Sequence, residues 1–288
     1  MGQNPTIQAK YLMVPYPQFD GNLYIYTYAG GYSHYNAMLA KMEKRFSGGG
    51  ALSRGVSFLS SFTWSRLMSA TGLLNNNGAS LVDAKPYNAV DGSDRPWDFA
   101  FSGLYGLPIG RGGTYLANAH GLLGQVVSDW QLDWVFTNDG GTPAGFPNND
   151  IYTCGGQYNL RPSHRSWKSY LNNSENQCFT TFPEYTAVTQ LPRTTKLRNP
   201  YAQQTALGLE KKFTVREGLM AQFKAEAFNA TNTPIFGGPN TGSPEQAPSR
   251  NASVADPTQP GAWSGYGTVG STQQNFPRQM QFSLKVLF

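Results

Sequence analysis

The stretch Arg278-Gln279-Met280-Gln281-Phe282-Ser283-Leu284-Lys285-Val286-Leu287-Phe288 sets Met280, Phe282, Leu284, Val286 and Phe288 on one side and Gln279, Gln281, Ser283 and Lys285 on the other. Strict period-2 alternation places successive side chains on opposite faces, so it reads as a β-strand with one apolar and one polar face. It runs for about ten residues, the length a tilted strand needs to cross a bilayer and longer than the five or six usual in soluble sheets. It also stops on an aromatic.

The same pattern recurs upstream. Residues 34–46 carry Met38, Ala40, Met42 and Phe46 against Lys41, Glu43 and Arg45, with Lys44 as a charge on the apolar side near the strand end, where its long stem can snorkel. Residues 56–66 set Val56, Phe58, Phe62 and Trp64 against Ser57, Ser61, Thr63 and Ser65; residues 97–107 set Trp97, Phe99, Phe101, Tyr105 and Leu107 against Asp98, Ala100 and Ser102. Residues 124–137 place Trp130, Leu132, Trp134 and Phe136 opposite Gln131, Asp133 and Thr137. Residues 201–213 alternate Thr205, Leu207, Leu209 and Phe213 with Gln204, Gly208, Glu210 and Lys212, and residues 219–229 alternate Leu219, Ala221, Phe223, Ala225 and Ala227 with Gln222, Lys224 and Glu226. Residues 22–29 are a weaker eighth candidate.

The connections alternate in length. Residues 47–55 and 214–218 are short and 108–123 moderate, whereas 67–96, 138–200 and 230–277 are long. Short turns on one side and long loops on the other describe an antiparallel up-and-down transmembrane β-barrel, with the turns in the periplasm and the loops outside the cell. On that polarity Phe288, Phe46 and Phe213 end at the periplasmic edge and Trp64 and Trp97 stand at the opposite one, as paired aromatic girdles do. A soluble β-sandwich also alternates. Strand length, loop asymmetry and a nearly uncharged aromatic face count against it, because a charge at mid-membrane costs about 2 to 4 kcal/mol. The expected fold is therefore all-β: about seven or eight strands of a partial barrel over residues 34–288, preceded by a leading loop segment, residues 1–33.

Composition agrees. Charged residues make up 14% of the 288, where about 25% is usual. No apolar run approaches the roughly 18 residues of a spanning helix, so any crossing must be by strands. The formal charge of +5 comes from 22 Lys and Arg without a basic block, which argues against nucleic acid. Met1-Gly2-Gln3-Asn4-Pro5-Thr6 shows no basic and apolar leader, so no signal peptide is read in this chain, and an exported protein without one is expected to be incomplete. Cys154 and Cys178 share one polar stretch; a loop-stapling disulfide in an oxidising compartment and a pair of unpaired thiols are both open, the bridge being preferred because no third ligand stands at metal spacing.

No enzyme is expected. His34, His120 and His164 are far apart and belong to no nucleophile or metal motif, and Gly110 to Gly113 lacks the strand, spacing and Lys of a phosphate loop. No cofactor or metal is implied. Lys41, Glu43, Arg45, Glu210, Lys212, Lys224 and Glu226 are the lumen-facing candidates, which either line a ligand path or form salt bridges that fix strand register. Phe282, Leu284, Val286 and Phe288 are the candidate C-terminal insertion signal, to be read by the barrel-assembly machinery.

Seven segments resemble the Oar-like TonB-dependent transporter β-barrel family, in order along nearly the whole chain. They are Pro15-Tyr16-Pro17-Gln18-Phe19; Tyr35-Asn36-Ala37-Met38 with Glu43-Lys44-Arg45-Phe46; Phe58 to Ser65 (FLSSFTWS); Leu107-Pro108-Ile109-Gly110-Arg111-Gly112; Trp130-Gln131-Leu132; Phe223 to Asn229 (FKAEAFN); and Phe276 to Phe282 (FPRQMQF). The resemblance implies an outer-membrane transporter whose full form has a leader, a carboxypeptidase-regulatory-like domain, a plug with a TonB-contacting segment, and about 22 strands. TonB would be met only through a plug that this chain does not contain. The alternative functions are a non-transporting adhesive or structural surface protein and, third, an outer-membrane lipase, which would need a Ser/His pair that none of the three His offers. An open sheet also leaves lipid-exposed backbone groups at its first strand. The strands would close alone, gain partners, or fail to insert.

Overall fold

The computed structural model describes residues 31–46, 55–70, 88–145, 150–155, 158–181 and 193–288. The segments at 15–19 and 22–29, most of the leading segment 1–33, and residues 47–54 of the short connection 47–55 lie outside the described residues.

Seven long strands carry the fold: β1 (Tyr32–Lys44), β2 (Val56–Ala70), β3 (Trp97–Gly106), β4 (Trp130–Asp139), β5 (Ala202–Arg216), β6 (Leu219–Phe228) and β7 (Gln279–Leu287). Each pairs antiparallel with its neighbours in sequence, giving one up-and-down sheet in the order β1 to β7. An outer membrane-type β-barrel sheet is what the alternation and the turn lengths led us to expect, and here it stands as an open arc. No described strand pairs with the far side of β1 or of β7.

All long connections leave from one edge, the upper, and the shorter ones from the lower. The tightest is the β5–β6 hairpin through Glu217 and Gly218, where a bulge between Thr214 and Arg216 shifts the register. A bulge adds one residue to one strand and sharpens its twist. The upper edge of the β2–β3 pair is marked by Trp64 directly opposite Trp97.

Several boundaries differ from those read in the sequence. The segment beginning at 124 is not strand throughout: Gly121–Val127 is a short helix, and β4 starts at Trp130. Val126 and Val127, the only apolar residues between 124 and 129, are too short a run to tell a helix from a strand. The upper loop from 67 starts late, because β2 continues to Ala70 and its last turn is held by the two-residue strand Ala89–Val90 through Met68↔Val90 and Ser69↔Ala89. β1 begins at Tyr32, inside the segment expected to precede the strands. Loop 138–200 is not free of strand either: it contains Pro143–Gly145 paired with Arg193–Arg198, and Asp150–Tyr152 paired with Phe179–Thr181.

Buried groups tie the loops to the wall. Asp94 is 1% exposed; its Oδ1 accepts from the Leu67 N–H at 2.5 Å, and its Oδ2 is ion-paired with Arg198. Arg198 also donates to the Gly141 carbonyl at 3.0 Å, while Arg95 pairs with Asp139 at 2.5 Å. Burial of an unpaired charge costs several kcal/mol, so this carboxylate requires its guanidinium.

Candidate functional site: the inner face and the loop cap

Directly paired residues of adjacent strands share a face, so the register assigns every side chain a side. Lys41 pairs with Ser61, Ser61 with Ala100, and Ala100 with Thr137; Leu104 pairs with Asp133, Asp133 with Gly208, and Gly208 with Glu226. Lys41, Glu43, Glu210, Lys212, Lys224 and Glu226 therefore all stand on one face, with Arg45 just past the end of β1. That face is concave: Glu43 of β1 and Arg45 just beyond it line the same cavity of about 560 Å3 as Asp133 of β4, Glu210 of β5 and Lys224 of β6.

The charged candidates fall into separate groups. On β1, Glu43 takes Arg45 at 2.7 Å and Lys41 at 3.5 Å, all well exposed. On β5, Lys212 reaches Glu210 at 3.2 Å. These pairs run along single strands, so they cannot fix register, and exposed pairs are worth about 0 to 1 kcal/mol. Lys224 differs: it meets Glu226 at 2.8 Å and Asp133 at 3.8 Å, crossing β5 to reach β4. It can do so because position 208 is glycine, over which the Asp133 carboxylate lies. Asp133 was not among the candidates from sequence; only the register, which brings it beside Gly208, reveals it. The same face also leaves Leu59, Leu104 and Val135 exposed, at 41, 37 and 51%. Apolar side chains interleaved with charges line an open trough rather than a packed core.

The opposite face is apolar and aromatic. Phe58 meets Phe101 edge-on at 5.7 Å, Phe101 meets Trp134 at 5.5 Å, Phe99 meets Phe136 at 6.0 Å, and Phe223 stacks with Phe282 at 6.4 Å. Beyond them Met280, Phe282, Leu284, Val286 and Phe288 stand exposed. Its charges on the described strands, Lys44, Arg66, Lys211 and Arg216, keep to the two edges, Lys44 donating to the Val56 carbonyl at 3.4 Å. Lys211 interrupts the alternation read from sequence. It is 1% exposed, donates to the Ser128 carbonyl, and lies 5.2 Å from the Trp130 ring and 4.7 Å from that of Phe213. The lower connection folds over it, so its charge is held by the Ser128 carbonyl and the two ring faces and is kept from the lipid.

A water-exposed apolar face of this extent is a liability in a soluble protein, and against lipid it is required. The chain matches the family described as outer membrane beta barrel domain, over residues 2–281. The chain belongs to that family. No curated protein and no solved structure matches it. In an outer membrane beta barrel domain the aromatic face is the lipid face and the concave polar face is the lumen, which places this chain in the outer membrane.

Above the upper edge of the barrel, the described residues of the β4–β5 connection (140–145, 150–155, 158–181 and 193–201) pack with residues 229–278 into a cap. Its core is Ala144, Leu160, Leu171, Leu197 and Tyr266, with Tyr158 and Tyr170 packed against it. The Gly267 carbonyl accepts from the Tyr170 N–H at 2.8 Å, and the Trp167 carbonyl from the Val269 N–H at 2.9 Å. Cys154 and Cys178 are disulfide-bonded. Phe179 sits edge-on to Tyr158 at 4.8 Å and near Tyr266 at 6.0 Å. Burial pushes the Tyr266 phenol up to about 12 and raises that of Tyr158 further. Of the histidines, His34 is on β1, His120 precedes the helix and His164 is in the cap. Among the described residues no group of His, Cys, Asp and Glu could hold a metal ion.

Proposed function

We infer that the chain forms part of the wall of an outer-membrane transporter of the TonB-dependent kind. The concave face lines the substrate path, and the cap takes ligand from outside. The observation that supports this best is the open trough of about 560 Å3, in which paired charges alternate with exposed Leu59, Leu104 and Val135. A small barrel fills its interior with its own side chains, whereas a wide one leaves a lumen. The resemblance of seven ordered segments to Oar-like transporters points the same way. TonB would be engaged through a plug, which these strands do not supply. Phe282, Leu284, Val286 and Phe288 are the side chains offered to the barrel-assembly machinery. The reading is of a passive wall and not an enzyme.

A second reading, an adhesive surface barrel, draws support from the cap's own hydrophobic core and disulfide, which give it the build of a binding head. Uptake by cells producing the full gene product, with and without a proton uncoupler, separates the two. Uptake that stops with the uncoupler and with deletion of residues 150–181 supports energised transport. Uptake indifferent to the uncoupler, or surface adhesion without uptake, sinks that reading.

A further inference from the structure

A second cavity, of about 290 Å3, lies where β5 leaves the membrane band. Gln203, which lines it, shares the outward face with Thr205, Leu207 and Leu209, so the β5 side of the cavity belongs to the lipid face and not to the lumen. Its walls are aromatic: Trp167 and Phe236 meet edge-on at 4.9 Å, with Tyr170 and the exposed Tyr201 opposite. Arg165 stands at the mouth, its guanidinium 4.6 Å from the Tyr170 ring centroid and donating to the Tyr170 hydroxyl at 3.5 Å. No carboxylate lines the cavity. Among the described residues Arg165 forms no ion pair, and Arg161, His164 and Lys168 stand exposed on the same stretch of cap.

A guanidinium held over an aromatic ring, with one terminal nitrogen on the hydroxyl, still presents its other N–H groups to solvent, the arrangement that suits a phosphate or carboxylate. Aromatic side chains gather at the interface between lipid tails and headgroups, and basic pockets at that level take anionic headgroups. A site of a few hundred Å3 with aromatic walls and one charged group is built for a ligand that is apolar on one side and anionic at one point.

We propose that this cavity binds the phosphorylated sugar headgroup of an outer-leaflet glycolipid, Arg165 taking the phosphate and Trp167, Tyr170, Tyr201 and Phe236 taking the sugar face and the root of the chain. The proposal rests on the polarity that puts the long loops outside the cell, and it holds whether or not the barrel transports anything. Lipid bound there braces the cap against the membrane surface at the foot of β5.

The test is titration of the full chain, folded in detergent micelles, with a diphosphorylated glucosamine lipid, its dephosphorylated form, and soluble glucosamine 6-phosphate. Binding of the phosphorylated lipid is expected, with loss of tenfold or more in affinity on removal of its phosphates. Arg165→Ala should give the same loss, and Trp167→Ala a smaller one. Arg216→Ala, at the far edge, leaves binding unchanged, and heat-modifiable migration shows which variants fold. Equal affinity for the dephosphorylated lipid, or a folded Arg165→Ala that binds as well as the parent, overturns the proposal. So does soluble sugar phosphate binding as tightly as the lipid, which assigns the site to a free anion. Should Arg165→Ala not fold, Arg165→Lys, which keeps the charge and loses the planar fork, must weaken binding for the proposal to stand.

Discussion

The Trp134 indole lies across Gly103, its register partner on the neighbouring strand, in the space a second side chain would need. A Cβ at position 103 would stand 2.6 Å from the Ser57 carbonyl oxygen and 2.8 Å from the indole Cη2. The first of these is backbone and cannot yield cheaply. Gly103→Ala should destabilise the folded sheet by about 1 to 3 kcal/mol, the usual cost of overpacking, measured as a shift of the urea midpoint for unfolding from lipid vesicles. An unshifted midpoint means the indole does not occupy that space.

Phe282 and Ser283 are neighbours on β7 with opposite faces. In water both positions are exposed and an arginine at either would cost little. In lipid, Phe282→Arg should cost about 2 to 4 kcal/mol and Ser283→Arg nearly nothing. The same vesicle unfolding experiment reads the difference, and equal effects would mean the inside and outside of the sheet are wrongly assigned.

Removing Arg198 leaves the Asp94 carboxylate, 1% exposed, with the Leu67 N–H but no cation. Arg198→Ala should cost about 3 kcal/mol, as for other broken buried pairs, and should open the upper loops to protease nicking well before the strands. Arg198→Ala with Asp94→Leu should recover much of the loss. A single substitution that leaves the nicking rate unchanged argues against an anchoring role.

The Cys154–Cys178 bridge closes a loop of sequence separation 24, for which chain-entropy arguments give about 3 kcal/mol. Replacing both by Ser should loosen the cap and leave the sheet in place. Limited proteolysis between residues 150 and 181 with unchanged heat-modifiable migration is the expected result; loss of both would extend the bridge's role to the wall.

Tyr266 gives the cap a pH response. Burial favours the neutral phenol, raising its pKa from 10 up to about 12 in the folded state. Since the folded value is the higher, its contribution is complete below pH 10 and is lost as pH rises through 12, roughly 3 kcal/mol in all. Near-ultraviolet circular dichroism of the cap should therefore change between those limits, and Tyr266→Phe should flatten the change. An identical profile in the variant assigns it to another group.

Much of the wall was legible because alternation is local. Met280 to Phe288 and Phe223 to Ala227 announce both their strand and its faces, and Trp64 and Trp97 announce the edge they share. What failed did so for want of neighbours. The residues from Gly124 to Asp129 read as strand because Val126 and Val127 are too short a run to set a period of their own. Lys211 broke the apolar stripe, and the Ser128 carbonyl that receives it comes from another connection, 83 positions away. The Asp133–Lys224 pair needs Gly208 between them, which only register supplies. The cap was invisible: Leu160, Leu171, Leu197 and Tyr266 meet across two loops that share no repeat, so their patterning carries no period to read.

The hairpin between β5 and β6 bears on the order in which the sheet is made. Its strands are joined by two residues, while β7 must return to β6 across residues 229–278, and the entropy lost in closing a loop grows by about 0.6 kcal/mol for each doubling of its length. Sequence-adjacent pairing throughout lets the sheet assemble from this seed strand by strand, with the β4 and β7 edges reached only after the long segments beyond them have been drawn in. Those same segments pack on one another through Leu171 and Tyr266, so condensation of the cap shortens both journeys at once. The core of the cap thereby lowers the loop-closure cost of the two strand pairings that its own connections separate.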